Sequence, residues 1–356
     1  MSDTKHELEE IRQNLAKIDT TLLQEIEKRA RLSKRAGELR AQEPGQLPPL
    51  KTILEAVLSK ASGDFPIESL RIALREIIGA CLTLELPVKV AVLGPEGSAA
   101  TVAARHRFGA GATVAAHETP AAVLAEVAGR RAEYAVLPLE GKIEGPVQST
   151  IEALMESDLR IVSVEETAAT LHLMNKSGAP GDIEKICATV PDQSRVERFL
   201  AVQFAGAGTK VAIADVKSPL QACEQALESA AIAALVTEEF GAAMGLKMAS
   251  RNPLTEEARY AVIGGRPSSR TGRDITAFAF SVQDTPGALL GVLRQFSERG
   301  INMLTLQSHP APGDGWNYVF FVELDGHATD RALVTAFEEV KRVSRFFKVL
   351  GSYPAE

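Results

Sequence analysis

The chain has 356 residues, 45% hydrophobic and 24% charged, with a formal net charge of −7. That length predicts two or three domains rather than one core. The composition excludes a disordered chain, and the negative charge without any basic run excludes non-specific binding of nucleic acid. Cys81, Cys187 and Cys223 are widely spaced and form no CxxC pair. They are expected to be small apolar core residues in a reducing cytoplasm, with neither a metal site nor a disulfide framework. The charged N-terminal segment lacks signal-peptide character, and no apolar run approaches the ~18 residues of a membrane helix. A soluble protein with no membrane partner is expected.

Along residues 5–40, Leu8, Ile11, Leu15, Ile18, Leu22 and Ile26 recur at steps of three and four. This predicts a long amphipathic helix with a coiled-coil-like seam, ended by Pro44-Gly45 and Pro48-Pro49. Ile53, Leu54, Val57 and Leu58 predict a shorter second helix, and Pro66 to Glu85 a third, with Asp64 as its cap. A long helix apolar on one face pairs with a copy of itself, so a homodimer or homotetramer is expected.

From Val88 the period changes. Val88–Leu93, Tyr134–Leu139, Leu159–Val164, Lys210–Ala214 and Ala230–Ala234 are strand-like, with helical patterns between them. Strands alternating with helices predict a parallel or mixed sheet covered on both faces. Residues 88–265 suit two lobes with a cleft, where glycine turns and helix N-termini present free N–H groups. A polar stretch, 266–273, follows as a linker. Residues 274–356 then read strand (Ile275–Val282), helix (Gly287–Arg299), strand (Met303–His309), strand (Asn317–Leu324), helix (Ala328–Val340) and strand (Phe346–Ser352). That order is a ferredoxin-like βαββαβ unit.

Several strings carry a family resemblance. They are Arg75–Cys81 with Leu84-Glu85, Val92-Leu93-Gly94-Pro95-Glu96-Gly97, Pro138-Leu139-Glu140 followed by Glu144-Gly145-Pro146-Val147 and Thr150, Pro286-Gly287-Ala288-Leu289-Leu290, and Val349–Pro354. In this order the chain resembles the bifunctional chorismate mutase–prephenate dehydratases of phenylalanine biosynthesis, with a C-terminal ACT domain. The resemblance implies a multidomain architecture. An all-α chorismate mutase-like helical domain spans 1–86. A two-lobed, periplasmic-binding-like α/β dehydratase domain spans 88–265, and an α+β ferredoxin-like ACT regulatory domain spans 274–356. It also implies chorismate or prephenate as substrate, phenylalanine or a similar amino acid as effector, and no cofactor.

Carried over residue by residue, Arg12, Arg29 and Arg40 would clamp the chorismate carboxylates, Arg40 standing for the usual lysine. Glu85 faces the ether oxygen and must be protonated to donate there. Pro49-Leu50 stand where the family has an Arg-Glu pair. In the dehydratase, Gly94, Gly97, Ser98, Glu140, Gly145, Thr150 and Arg259 fall on motif positions. Ala258 occupies the place of the threonine that helps the ring hydroxyl depart. Ser98-Ala99-Ala100, Gly141-Lys142 and Thr189-Val190-Pro191-Asp192 are further departures from the family strings. Arg259 either holds a substrate carboxylate bidentately or pairs with a neighbour such as Glu257. Lys142 either meets an anionic ligand or points to solvent. The ACT helix start Gly287, Ala288, Leu289 and Leu290 implies an amino-acid carboxylate site. Gln307-Ser308-His309-Pro310 stand for the family's Glu-Ser-Arg-Pro, which places Ser308 and His309 in the effector set. Two alternatives stay open beside the family activity: a catalytically impaired, amino-acid-binding regulator, and a non-aromatising prephenate decarboxylase-like enzyme.

Overall fold

The computed structural model describes residues 2–40, 50–95, 97–109, 111–141, 145–188, 211–216, 218–310 and 318–355. Pro49, Glu96, Lys142, Glu144, Thr189–Asp192, Lys210 and Asn317 therefore lie outside the described residues, as does the side chain of Arg40. Two compact units emerge: Met1–Val88 with Arg105–Thr113, and Lys89–Ala104 with Val114–Glu356.

The first unit is helical: α1 (Ser2–Arg40), α2 (Leu50–Leu58) and α3 (Ile67–Glu85). Leu50, Leu54 and Leu58, one turn apart on α2, bury against Ile78 of α3, with Leu70, Leu74 and Leu82 around them. Gly37 lets α1 approach α3 closely, because a Cβ there would lie 2.2 Å from the Glu85 carbonyl oxygen. Asp64 does not cap α3. Pro66 occupies the cap position without any side-chain cap bond, which leaves Asp64 two residues too early to reach the first free N–H groups. The seam of α1 stays open in the single chain: Leu8, Leu15 and Leu22 are 52%, 54% and 57% exposed.

The second unit holds two sheets. The larger has the order β2-β1-β3-β9-β5-β8-β6-β7, with β4 paired to β3. Its strands are β1 (Lys89–Leu93), β2 (Thr113–His117), β3 (Tyr134–Gly141), β4 (Gly145–Pro146), β5 (Arg160–Asn175), β6 (Lys185–Ala188), β7 (Ala212–Asp215), β8 (Ile232–Thr237) and β9 (Lys247–Gly264). The connecting helices are α4 (Ala99–Phe108), α5 (Pro120–Ala128), α6 (Gln148–Glu156), α7 (Pro219–Glu228) and α8 (Glu238–Ala243). Parallel pairs (β1–β3, β6–β8) mix with antiparallel ones (β3–β9, β5–β8).

The strand expected at Leu159–Val164 runs on to Asn175, and β9 had no forecast at all. Both gaps arise where β5 and β9 pair through Glu165–Thr170 and Thr255–Tyr260, too polar and small to carry a strand signature. Their ends serve different lobes. Ala258–Gly264 of β9 lies between β3 and Arg160–Thr167 of β5, whereas Leu171–Met174 of β5 pairs with β8.

The smaller sheet has the order β11-β12-β10-β13, all antiparallel. It contains β10 (Asp274–Ser281), β11 (Met303–Pro310), β12 (Tyr318–Asp325) and β13 (Phe346–Pro354), covered by α9 (Ala288–Ser297) and α10 (Arg331–Val343). Strand alternation gives it two apolar faces. Phe278, Phe280, Val322 and Leu324 pack on Phe296 and Phe337 of the helices. Ala277, Ala279, Phe321, Leu350 and Tyr353 share a core with Ile161, Ala261 and Ile263 of the larger sheet. Lys348 fastens the join by donating to the carbonyls of Met155 and Ser157, at 2.7 and 2.6 Å.

At Gly351 the two sheets leave no room: a Cβ would sit 2.1 Å from the carbonyl oxygen of Ile161. Gly351→Ala is expected to lower stability by at least ~2 kcal/mol, the scale of overpacking against backbone. Thermal denaturation checks this, and an unchanged midpoint would refute the tight contact.

Candidate functional site

The cleft is built where β5 and β9 pass between lobes. A cavity of about 540 Å³ is lined by Glu140 of β3, Glu166, Thr167 and Ala168 of β5, and Glu257, Ala258 and Arg259 of β9. Register sets what faces what. Gly141 pairs with Ala258, and Ala258 pairs in turn with Thr167, forming one row across three strands. Directly opposed residues project from the same face of a sheet. Two members of the row are small, and the third carries a buried hydroxyl with no hydrogen-bond partner.

Arg259 is bonded within the protein. Its guanidinium donates to both carboxylate oxygens of Glu323 on β12 at 2.9 Å, and to Glu140 at 3.3 Å. Glu323 also accepts from Thr305 at 2.8 Å and from the Tyr353 hydroxyl, and its side chain is only 2% exposed. Burial pushes the Glu323 carboxyl up, but the bonds from Arg259, with those from Tyr353 and Thr305, outweigh it and hold the group below the usual carboxylate range. Burial works against the charged guanidinium too, yet Glu323 holds Arg259 above its ordinary value. The second oxygen of Glu140 accepts from Gln307 at 2.9 Å. Of the two roles expected for Arg259, pairing with carboxylates is the one these contacts show, and the carboxylates come from β3 and β12.

The glycine turn takes its expected place after β1. Gly94 and Gly97 have φ of 91° and 82°, a region that suits glycine. The backbone at Gly97 approaches Phe240 of α8 so closely that a Cβ would lie 2.6 Å from the ring. Ser98 donates to the Leu93 carbonyl at 3.4 Å, at the entrance to α4. Gly145, with φ of 76°, leads into α6, where Thr150 is fully buried and its hydroxyl has no partner. Thr150 is absent from the cavity lining, whereas Glu140, Ala258 and Arg259 are brought together there.

In the helical unit, Arg12 is exposed beside Glu9, at 3.9 Å. Arg29 is half-buried, with one guanidinium nitrogen sealed from solvent and lacking a partner. Glu85 is half-buried at the end of α3. Arg12 and Arg29 stand seventeen residues apart on one helix, ~25 Å at a rise of 1.5 Å per residue. One copy therefore does not bring them onto one small substrate.

In the ferredoxin-like unit, Gly287 caps α9 with φ of 84°, and Ala288, Leu289 and Leu290 form its first turn, Leu290 being 52% exposed. Strand alternation separates the other effector pair: Ser308 is exposed, whereas His309 is buried with its Nε2 unpartnered. Burial lowers the His309 pKa and Glu152 opposes this only partly, which disfavours the charged ring where the family pattern has a permanent cation. Glu323, Thr167 and Gln307 matter more to the cleft than the sequence reading allowed. A visible signal existed for Glu323, a lone carboxylate inside the apolar strand Tyr318–Leu324, since such a charge demands a partner.

Among the described residues no group of metal ligands occurs, and no helix is long and apolar enough to cross a membrane. Fold and cleft together define a two-lobed α/β protein with a ligand cavity at its lobe junction, joined to an ACT-type ferredoxin-like module. Known families agree with that class: prephenate dehydratase matches residues 90–268, and the ACT domain matches residues 276–342. A bifunctional chorismate mutase/prephenate dehydratase of Aquifex aeolicus is 36% identical over 362 residues, covering 98% of each chain. A prephenate dehydratase of Arthrobacter aurescens, solved in complex with L-Phe, has a TM-score of 0.65 at 27% identity, over 75% of this chain and 90% of that one. GqqA, described as a quorum-quenching acylase, has the same TM-score at 25% identity, over 75% of this chain and 98% of that one. The chain belongs to the bifunctional chorismate mutase/prephenate dehydratase family.

Glu323→Gln keeps the shape and removes the charge that Arg259 meets. Breaking a buried ion pair costs ~3–5 kcal/mol, and a loss of about 2–4 is expected because Arg259 is 24% exposed and keeps Glu140. Chemical denaturation reads it, and a change below about 0.5 kcal/mol would reduce the cluster to ordinary surface pairing.

Proposed function

We propose that the chain acts in phenylalanine biosynthesis, rearranging chorismate to prephenate and converting prephenate to phenylpyruvate, water and carbon dioxide, under control of an amino acid such as phenylalanine. The observation that carries this reading is the 36% identity to the Aquifex aeolicus bifunctional protein over 98% of both chains. The proposed division is a helical mutase segment (1–86), a dehydratase (88–265), a linker (266–273) and an ACT domain (274–356). The family matches at 90–268 and 276–342 support the two later boundaries. Three buried free cysteines suit a reducing compartment, the cytoplasm on this reading.

In the dehydratase cleft the ring hydroxyl must leave as water while a carboxylate leaves as carbon dioxide. Both fragments depart readily once a donor stabilises the hydroxyl and the cavity holds the ring in place. Three carboxylates and one guanidinium line the described cavity wall. Because that guanidinium already meets Glu323 and Glu140, it orders the wall rather than standing open for a substrate carboxylate. The start of α6 carries first-turn backbone N–H groups of the kind that suit an anion.

Ala258 favours a second reading. Without a threonine hydroxyl at that position, the protein could release carbon dioxide without aromatising the ring, or bind its ligand without turnover. Chromatography of purified protein incubated with prephenate separates these. Phenylpyruvate well above the spontaneous rate is expected. A non-aromatic product would establish the decarboxylase instead, and ligand-dependent thermal stabilisation without any product would establish the regulator.

The exposed seam of α1 supports a dimer in which two copies bury it together. Such pairing also brings Arg12 of one copy toward the Arg29 region of another. Light scattering is expected to give a dimer or tetramer for the full chain. Leu15→Glu with Leu22→Glu should reduce the assembly and abolish chorismate rearrangement. A monomeric wild-type protein would defeat this arrangement.

A further inference from the structure

We propose that Thr167 supplies the hydroxyl proton that Ala258 cannot, as the donor that assists departure of the ring hydroxyl. This rests on the dehydratase reading above. Thr167 and Ala258 are direct register partners on β5 and β9, and both line the 540 Å³ cavity. Directly opposed residues of an antiparallel pair project from one face with Cβ atoms ~5 Å apart, so a donor moved from one to the other stays within reach of the same ligand. The next residue in that row is Gly141, without a side chain. Thr167 is therefore the one hydroxyl in the row.

Its chemistry is uncommitted. The Thr167 Oγ1 is sealed from solvent and makes no hydrogen bond, although the residue is 9% exposed. A buried hydroxyl without a partner costs stability, so its presence in the cavity wall beside Ala168 and Ala258 calls for a ligand that satisfies it. Rotation about χ1 between staggered wells lets the free donor follow that ligand. Thr150 is the rival orphan, fully buried and also unpartnered, but it does not line the cavity.

The step balances without a cofactor. The bond to the ring carboxylate breaks, carbon dioxide leaves, and the released electron pair closes the aromatic ring. The ring C–O bond breaks with its pair staying on oxygen, and the departing hydroxyl takes the Thr167 proton to become water. Solvent returns a proton to the threonine oxygen. The prephenate dianion plus one proton thus gives the phenylpyruvate monoanion, carbon dioxide and water.

The test compares the full-length wild type with Thr167→Val, Thr167→Ser and Thr167→Val combined with Ala258→Thr, each assayed for phenylpyruvate formation from prephenate. Thr167→Val should lower kcat by ~10²-fold or more, with KM changed far less, as expected for loss of a proton donor. Its melting temperature should hold or rise, since the lost hydroxyl had no partner. Thr167→Ser should keep most of the activity, and restoring a threonine at 258 in the double variant should recover at least ~10-fold of kcat. If the wild type makes phenylpyruvate and Thr167→Val keeps its kcat within about threefold, the role is overturned while the dehydratase reading stands. If the wild type makes none, that reading falls, and the role of Thr167 with it. Should Thr167→Val fail to fold, the same comparison is read on Thr167→Ala.

Discussion

The second unit turns on one guanidinium. Arg259 rises from the middle of β9, at the lobe junction, and meets a carboxylate that is almost wholly buried in the neighbouring sheet. A buried carboxylate is costly unless paired and fully hydrogen-bonded, and Glu323 has Arg259, Thr305 and Tyr353 to satisfy it. The ACT sheet therefore cannot lift away from the dehydratase sheet without stranding a charge. Glu140 extends the cluster, taking Arg259 on one oxygen and Gln307 on the other. A wall residue of the cavity thus touches the very strand that carries Ser308 and His309.

Much of this architecture was legible because it depends on period. Leu8 to Ile26 on α1, the β1 run before Gly94, and the alternation of strands and helices after Asp274 announce their elements through spacing alone. What stayed hidden depends on pairing across long sequence separations. Residues Thr255–Tyr260 read as no element, yet they form the centre of a strand because Glu165–Thr170 lies beside them. Asp64 resembled a cap by residue type but stood two residues before the cap position, Pro66. Arg259 was recognisable as important and Glu323 stood out as a lone carboxylate in an apolar strand, but their meeting was not legible across 64 residues. The row Gly141–Ala258–Thr167 exists only in the register of three strands, and so the replacement for a missing hydroxyl could not be sought along the chain.

That row also shows how a site trades stability for availability. Ala258 keeps its side chain in the wall to one methyl, while Thr167 keeps a polar atom with nothing to bind. A fold optimised only for rigidity would place a valine there. By contrast, the surrounding apolar packing is tight: Gly97 admits Phe240 and Gly351 admits the Ile161 backbone only because neither carries a Cβ. At the cavity, by comparison, the Thr167 hydroxyl is left to meet a ligand.

The two longest strands, β5 and β9, run side by side from one lobe into the other, paired from Arg160–Gly264 to Asn175–Lys247 with register shifts after Ile161 and between Leu171 and Met174. A junction made of loops can change through a few backbone angles, whereas this one is a paired ribbon whose own residues, Glu166–Ala168 and Glu257–Arg259, line the cavity. Any shift of one lobe against the other is carried by strands that are also the cavity wall, so the setting of the lobes and the geometry of that wall do not vary independently.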